Sequence, residues 1–349
     1  MNKANTTVLV TGASGFVGAH AVKQLLEEGY NVRGSVRSTK DLSRYQWLLD
    51  LPRQVGSGSI QLVEGDLMDK NCWYNAVDGC DYVLHIASPV SAEKAKTEDD
   101  YVKPAVNGVK NVLHAAIEKG VKKVVITSSI ASIMMGHKRK KLNFDEGDWS
   151  VEKKLGHYAK SKYLAERAAW DIYEANKNKI EISVINPGLI LGAPVGRALP
   201  ESAIFSKMIL SGKLSSTPNF SMGFVHVKDV AKLHILAMES DEANGKRYIC
   251  SGEDRQIPNM AKVIYDEYRP RGYKISKKKM GGFMIWLGSL FDAQMKMMKE
   301  FLDRPVVLDN SKSRKELGIS YIGFKEMNIE TCEWLLTSGN VKRSKKDTH

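Results

Sequence analysis

Tyr158 and Lys162 stand four residues apart at the head of a run with helical spacing, Tyr163-Leu164-Ala165-Glu166-Arg167-Ala168-Ala169-Trp170. Upstream, Ser129 closes the apolar stretch Val124-Val125-Ile126-Thr127-Ser128-Ser129. Residues four apart share a helical face, so the phenol and the ammonium point the same way. An unperturbed phenol has a pKa of about 10, and a nearby ammonium favours its phenolate, each unit being worth about 1.4 kcal/mol. Lys160, at about 100° per residue, falls off that face and is the weaker partner. The serine ends a strand of the buried type, at the sheet edge where ligands bind. An acid, a cation beside it and a second hydroxyl are what protonating an alkoxide and polarising a carbonyl require. Each piece alone is weak, since Tyr-x-x-x-Lys recurs by chance and serines at strand ends also cap turns. The combination is the signal. Asn107, on the helical stretch before that strand, is a further candidate for organising a water or a backbone group.

Such chemistry needs a hydride donor, and the start of the chain offers a place for one. Thr11-Gly12-Ala13-Ser14-Gly15-Phe16-Val17-Gly18 follows one strand-like run and opens a helical one. Gly12 permits the tight turn, Gly15 lets backbone approach a pyrophosphate, and Gly18 lets helix pack closely on strand. Ser14, Phe16 and Val17 occupy the turn and first helical turn, whose free N–H groups suit phosphates. The spacing is G-x-x-G-x-x-G rather than G-x-G-x-x-G, but the flanking strand and helix support dinucleotide binding. An NAD site has an acid at the end of the second strand, about 20 residues on. This chain has none in Asn31-Val32-Arg33-Gly34-Ser35-Val36-Arg37-Ser38. Arg37, with Arg44 further on, suits a 2′-phosphate instead, which an acid would repel. The expected cofactor is NADP(H), with Lys162 also holding the nicotinamide ribose. Arg33, Lys40 and Arg44 read equally well as surface charges. Asp66, with Leu67 after the third strand, is placed to meet the adenine edge, or to cap a helix starting near Asp69.

These residues need a frame. Strand-like runs fall at Thr7–Val10, Asn31–Val36, Ile60–Val63, Tyr82–Ile86, Lys123–Thr127 and Ile180–Ile185, with helical spacing between them. Consecutive apolar residues in strands separated by helices indicate a parallel sheet covered on both faces. The expected fold is therefore α/β, a Rossmann-type doubly wound parallel sheet. After about residue 190 the alternation breaks up at loop signals around Gly192-Ala193-Pro194 and Ser215-Ser216-Thr217-Pro218-Asn219. Helices are expected at Val227–Met238, Asn259–Tyr268 and Phe283–Phe301. The division expected is an NADP-binding domain over 1–190, to which some later segments return, a smaller and mostly helical substrate lobe over 191–335, and a basic, flexible tail over 336–349.

A net charge of +12 raises nucleic acid or membrane surface as partners. Much of the excess sits in short runs, His137–Lys141, Lys277–Lys279 and Lys342–Lys346, which read as solvated faces, so no nucleic-acid partner is expected. Cys72, Cys80, Cys250 and Cys332 are scattered without metal-ligand or disulfide spacing, which points to a reducing compartment, the cytoplasm, and no metal. No signal-type apolar region precedes the first strand. The apolar stretch Met280–Phe291, about a dozen residues, is too short to span a bilayer, so stable membrane insertion is not expected. An amphipathic helix on the smaller lobe fits it.

The motifs together resemble those of the extended short-chain dehydrogenase/reductases. Within them the chain is similar to the dihydroflavonol 4-reductase, cinnamoyl-CoA reductase and fungal aldehyde (methylglyoxal) reductase group. The resemblance is carried by Val10–Gly18, Leu84-His85-Ile86-Ala87-Ser88-Pro89, Pro104–Val109, Thr127-Ser128-Ser129, Tyr158–Lys162, Asn186-Pro187-Gly188, Phe224–Ala231 and Gly245–Ser251. It implies that Ser129 is catalytic with Tyr158 and Lys162, that Arg37 binds the 2′-phosphate, and that Pro187 lines the cofactor cleft with Ile86, Ala87 and Ser88. Ile133-Met134-Met135 stands where dihydroflavonol reductases carry a substrate-binding asparagine. Leu155-Gly156-His157-Tyr158 replaces the cinnamoyl-CoA reductase signature. The expectation is therefore general aldehyde or ketone reduction of a small-molecule substrate by a monomer or homodimer. The alternatives are a nucleotide-sugar epimerase, a 3β-hydroxysteroid-type dehydrogenase, or a non-catalytic NADP-sensing protein.

Overall fold

The computed structural model describes residues 2–88, 97–280 and 302–347. Strand and helix alternate through β1 (Thr7–Thr11), α1 (Phe16–Glu27), β2 (Asn31–Val36), α2 (Gln46–Leu49), α3 (Leu51–Val55) and β3 (Ser59–Glu64). The series continues with α4 (Lys70–Val77), β4 (Tyr82–His85), α5 (Glu98–Glu118), β5 (Lys123–Thr127), β6 (Asn143–Phe144), α6 (His157–Ala175) and β7 (Glu181–Pro187). Then come β8 (Leu189–Leu191), α7 (Ala203–Leu210), β9 (Ser221–His226), α8 (Val227–Glu239), β10 (Lys246–Cys250), β11 (Glu253–Gln256) and α9 (Ile257–Tyr268). β12 (Val307–Leu308), α10 (Ser311–Leu317) and α11 (Phe324–Thr337) complete the described chain.

Seven strands form one sheet in the order β10-β7-β5-β4-β1-β2-β3, each pair of neighbours parallel. The order reverses between β1 and β4, which makes that junction the topological switch point where a crevice opens. The consecutive apolar residues do what a two-sided sheet needs. Val8, Val10, Leu84 and Val125 pack under α1 and α8, while Leu9, Val83, Val124 and Ile126 pack under α5 and α6. A third core joins α7, α9 and α11 away from the sheet. α5 starts with a capping box, in which Asp100 N–H donates to Thr97 Oγ1 and Thr97 N–H to Asp100 Oδ2. Three acids in its first turn suit the positive end of the helix dipole.

The chain crosses and recrosses the division expected near residue 190. β8, β9 and β11 form a separate three-stranded sheet that packs with α7, α9 and α11. In contrast, α8 lies on α1, and β10 adds the last strand beside β7. The segment after 336 is tied back to the body. Asp347 pairs with Arg271 at 2.9 Å and accepts a hydrogen bond from Tyr273 at 2.5 Å. The helix expected over Phe283–Phe301, and the apolar run Met280–Phe291 apart from Met280 itself, lie outside the described residues. No described helix is long and apolar enough to cross a membrane.

Lys123 joins α8 to the sheet. It is buried at the start of β5 and donates to the carbonyls of Ala237 and Ser240 at the carboxyl end of α8, where a cation suits the helix dipole. Lys123→Met leaves one of those carbonyls without its donor and is expected to cost about 1–2 kcal/mol in urea unfolding, with an unchanged m-value.

Candidate active site

All the parallel strands end on one side, so the residues that follow them share one edge. Gly12 has φ +67, and a Cβ there would lie 3.2 Å from Ala87 Cα. The turn is pinned from β2, where Ser35 Oγ accepts from Gly12 N–H at 3.1 Å and the Ser35 carbonyl from Ala13 N–H at 3.0 Å. A Cβ on Gly18 would fall 2.2 Å from the Gly12 carbonyl oxygen, so helix and turn touch. Gly15 differs: it is exposed, and a Cβ there would meet only the Gly12 oxygen, at 3.1 Å. No side chain caps the first turn of α1, which begins at Phe16, Val17 and Gly18, with Ser14 half-buried beside it. Backbone N–H groups next to an open glycine are a donor set that fits a pyrophosphate.

Arg37 immediately follows β2 and is exposed; Arg44 is exposed on the single turn Leu42–Tyr45. Neither guanidinium is bonded to a described residue. Arg33 is occupied with the carbonyls of Ala76 and Asp78. Asp66 does not cap α4. Asp69 does, accepting from Asn71 N–H, whereas Asp66 Oδ1 closes its own turn by accepting from Met68 N–H at 2.9 Å. The Asp66 carbonyl is held by Trp73 Nε1 at 2.9 Å and that of Leu67 by Asn111 Nδ2 at 2.9 Å. The Leu67 side chain lies against Gly108, where a Cβ would come within 2.7 Å of it.

Ile86, Ala87 and Ser88 leave β4 half-buried along the same edge. Thr11 Oγ1 accepts from Ala87 N–H at 2.9 Å and bonds His85 Nδ1 at 3.1 Å. Burial, with the Lys162 charge adding to it, pushes His85 down to about 3, so the ring is neutral. Lys162 is 7% exposed and donates from Nζ to Ser88 Oγ at 2.9 Å. Burial lowers it from 10.5 to about 8, and Glu166 opposes the fall. Ser129 caps a short turn, accepting from Ala131 N–H at 3.1 Å, and is 8% exposed. Ser128 turns away, its hydroxyl donating to Glu166.

Tyr158, the second residue of α6, is 42% exposed in the cleft. Partial loss of hydration against its protein neighbours raises the phenol above its usual value, while a hydrogen bond with Ser129 lowers it and the Glu201 charge adds to the rise. The expected lowering of this phenol by Lys162 is thus absent from this geometry. The ammonium faces Ser88, and desolvation dominates at Tyr158. Lys160 pairs with Glu98 at 2.6 Å, leaving the site to Lys162. Asn107 is exposed on α5. Pro187 is buried at the end of β7, beside Cys250.

The structure adds residues that the sequence reading passed over. Thr11, Ser35 and His85 hold the turn and the β4 edge. Glu166 lies 1% exposed behind Lys162 and is ion-paired with Arg247 at 2.6 Å. A carboxylate four residues after Lys162 in an alanine-rich stretch was the available signal for Glu166. For Thr11 and Ser35 there was none beyond their place at strand ends.

The model of the NAD dependent epimerase/dehydratase family matches residues 8–251. Dihydroflavonol 4-reductase of Gerbera hybrida is 36% identical over 271 residues, 75% of this chain and 72% of that protein. Cinnamoyl-CoA reductase 2 of Medicago truncatula is 38% identical over 249 residues, 70% and 71% of the two chains. Among solved structures, the yeast methylglyoxal/isovaleraldehyde reductase Gre2 complexed with NADPH superposes with a TM-score of 0.77 at 29% identity, covering 96% of this chain and 100% of its own. Vestitone reductase from alfalfa gives 0.74 at 26%, covering 96% and 99%.

Gly15 and Gly18 differ in what an added methyl meets, and this separates binding from folding. Gly15→Ala is expected to change stability by less than about 1 kcal/mol while weakening NADPH binding at least about tenfold. Gly18→Ala is expected to lose about 3 kcal/mol or more, because backbone cannot yield as a side chain does. Thermal unfolding alongside a fluorescence titration with NADPH reads both.

Proposed function

Since the chain belongs to the NAD dependent epimerase/dehydratase family, the extended short-chain dehydrogenase/reductases, we propose that it reduces an aldehyde or ketone to an alcohol with NADPH. The observation that carries this reading is the hydrogen bond between Tyr158 and Ser129, with Lys162 one turn along the same helix, on the sheet edge that also holds the open glycine turn and Arg37. The reductase names of the relatives point the same way. Gly15 and the first N–H groups of α1 would hold the pyrophosphate, Arg37 with Arg44 the 2′-phosphate, Asp66 and Leu67 the adenine edge, and Lys162 the nicotinamide ribose. Ile86, Ala87, Ser88 and Pro187 would line the cleft between them. NADPH, when bound, supplies the hydride.

The chain's own groups manage the proton and the oxygen. The Ser129 hydroxyl donates to the carbonyl oxygen and orients it. Tyr158, raised above 10, keeps its proton at neutral pH and delivers it to the forming alkoxide. The phenolate left behind is stabilised by its hydrogen bond with Ser129, and the Lys162 ammonium, present below a pH of about 8, is the group that would hold the ribose. Tyr158 is reachable because it stands open to the cleft, whereas Lys162 works from behind it.

The substrate is best read as a small aldehyde or ketone rather than specifically a flavonoid or a cinnamoyl thioester. Ile133 and Met134 are buried in the third core, with α7, α9 and α11, and carry no polar side-chain group. The cytoplasm is the compartment that four free thiols suit.

Tyr158→Phe is expected to lower kcat at least about 100-fold in NADPH oxidation across an aldehyde and ketone panel, with NADPH affinity retained. Unchanged turnover in that variant sinks the mechanism. Arg37→Ala is expected to raise KM for NADPH far more than KM for NADH, because only the former carries the 2′-phosphate. Equal changes would remove Arg37 from the site.

A further inference from the structure

Behind Lys162 lies a small cavity lined by His85, Ser88, Thr127, Ser128, Lys162 and Glu166. Glu166 follows Lys162 by four residues on α6, so the two side chains share the helical face that also carries Tyr158. The Glu166 carboxylate meets donors only. Oε2 accepts from Ser128 Oγ at 2.5 Å and Asn186 Nδ2 at 2.8 Å, and Oε1 from Trp170 Nε1 at 3.3 Å. Oε1 is also ion-paired with Arg247 Nε at 2.6 Å. These donors and the Arg247 guanidinium suit a carboxylate at this position. Asn186 Nδ2 bonds the Ser129 carbonyl as well, at 3.2 Å, which connects the carboxylate to the backbone of the candidate catalytic serine.

The partners of Arg247 complete the arrangement. Its guanidinium donates to the carbonyls of Glu146 and Asp148 and stacks over Trp149, with 3.8 Å from Cζ to the ring centre. A neutral or aliphatic residue at 166 would satisfy the apolar neighbours Ala165 and Ala169 of α6 at lower desolvation cost. A buried carboxylate that sits beside the active-site ammonium therefore calls for an account beyond packing.

We propose that Glu166 is a positioning residue for the reaction, its carboxylate keeping Lys162 charged and anchoring the Tyr158–Lys162 face of α6 to the ends of β5, β7 and β10. This rests on the carbonyl reduction proposed above. The other groups around Lys162 leave the role to Glu166. On β4, His85 is neutral; α5 contributes Ala105 and Val109, and β5 contributes Ile126, Thr127 and Ser128. Tyr158 stands on the same helix with Glu201 beyond it, while Arg247 on β10 is turned to Glu166. Desolvation lowers Lys162, and Glu166 is the charged neighbour that opposes it.

The test follows the lysine itself. In the full-length, nucleotide-free protein, trace acetylation of Lys162 with acetic anhydride is measured by mass spectrometry from pH 6 to 11. The wild type should give a midpoint near 8. Glu166→Gln should lower it by about one unit or more, and should move the alkaline limb of carbonyl reduction down by the same amount. Arg247→Gln, which removes the neutralising cation and leaves the carboxylate, should move the midpoint up. A folded Glu166→Gln variant with an unchanged midpoint overturns the proposal. If that variant does not fold, an unmoved or lowered midpoint in Arg247→Gln overturns it instead. The labelling needs no turnover, so a wild type that reduces no carbonyl would refute the proposed reaction while the role of Glu166 is still decided by the midpoints.

Discussion

Three hydrogen-bond donors, Ser128, Asn186 and Trp170, and the Arg247 guanidinium converge on the buried carboxylate of Glu166. Breaking one side of such a pair leaves an uncompensated charge in the interior, a loss of about 3–5 kcal/mol. Removing either partner would therefore loosen α6 from β5, β7 and β10. Lys162 and Tyr158 are one and two turns up the same helix, and Ser129 is held through Asn186. The spacing of the candidate catalytic groups follows from this anchoring.

The second constraint is the parallel sheet. Because neighbouring strands all run one way, their carboxyl ends form a single edge, and the reversal of order between β1 and β4 opens the crevice there. Gly12 touches Ala87 across that reversal, and Thr11 ties the two strand ends through His85 and Ala87. Burial at this edge acts in opposite senses on the two titrating groups. It lowers the lysine and raises the tyrosine, each disfavouring its charged form. An acid that keeps its proton until needed and a cation poised near its own pKa result from the same desolvation.

The second lobe is built differently, from a short sheet and three helices around their own core, yet the chain returns from it twice to finish the first. α8 closes over α1, with Lys123 at its end, and β10 brings in Arg247 as the partner of Glu166. The elements around the third core are thereby interleaved in the chain with those that hold the catalytic helix. Asp347, bound to Arg271 and Tyr273, draws the last described residues onto this lobe.

The strands of the Rossmann-type sheet, the glycine turn and the Tyr-x-x-x-Lys spacing are local patterns, and the sequence by itself determined them: periodicity, glycine stereochemistry and helical geometry act within a few residues. The absence of an acid after β2 was equally legible, because it needs only a position along the chain. Tertiary structure alone decided which of the neighbouring groups matter. Ser128 turns inward and Ser129 outward, Lys160 is taken by Glu98, Asp66 yields the cap of α4 to Asp69, and Arg33 is spent on carbonyls 43 and 45 residues away. It also decided the direction of the Tyr158 shift and the importance of Glu166. Desolvation and ion pairing depend on atoms brought together from distant elements, such as Glu166 on α6 and Arg247 on β10, which no spacing in the sequence records.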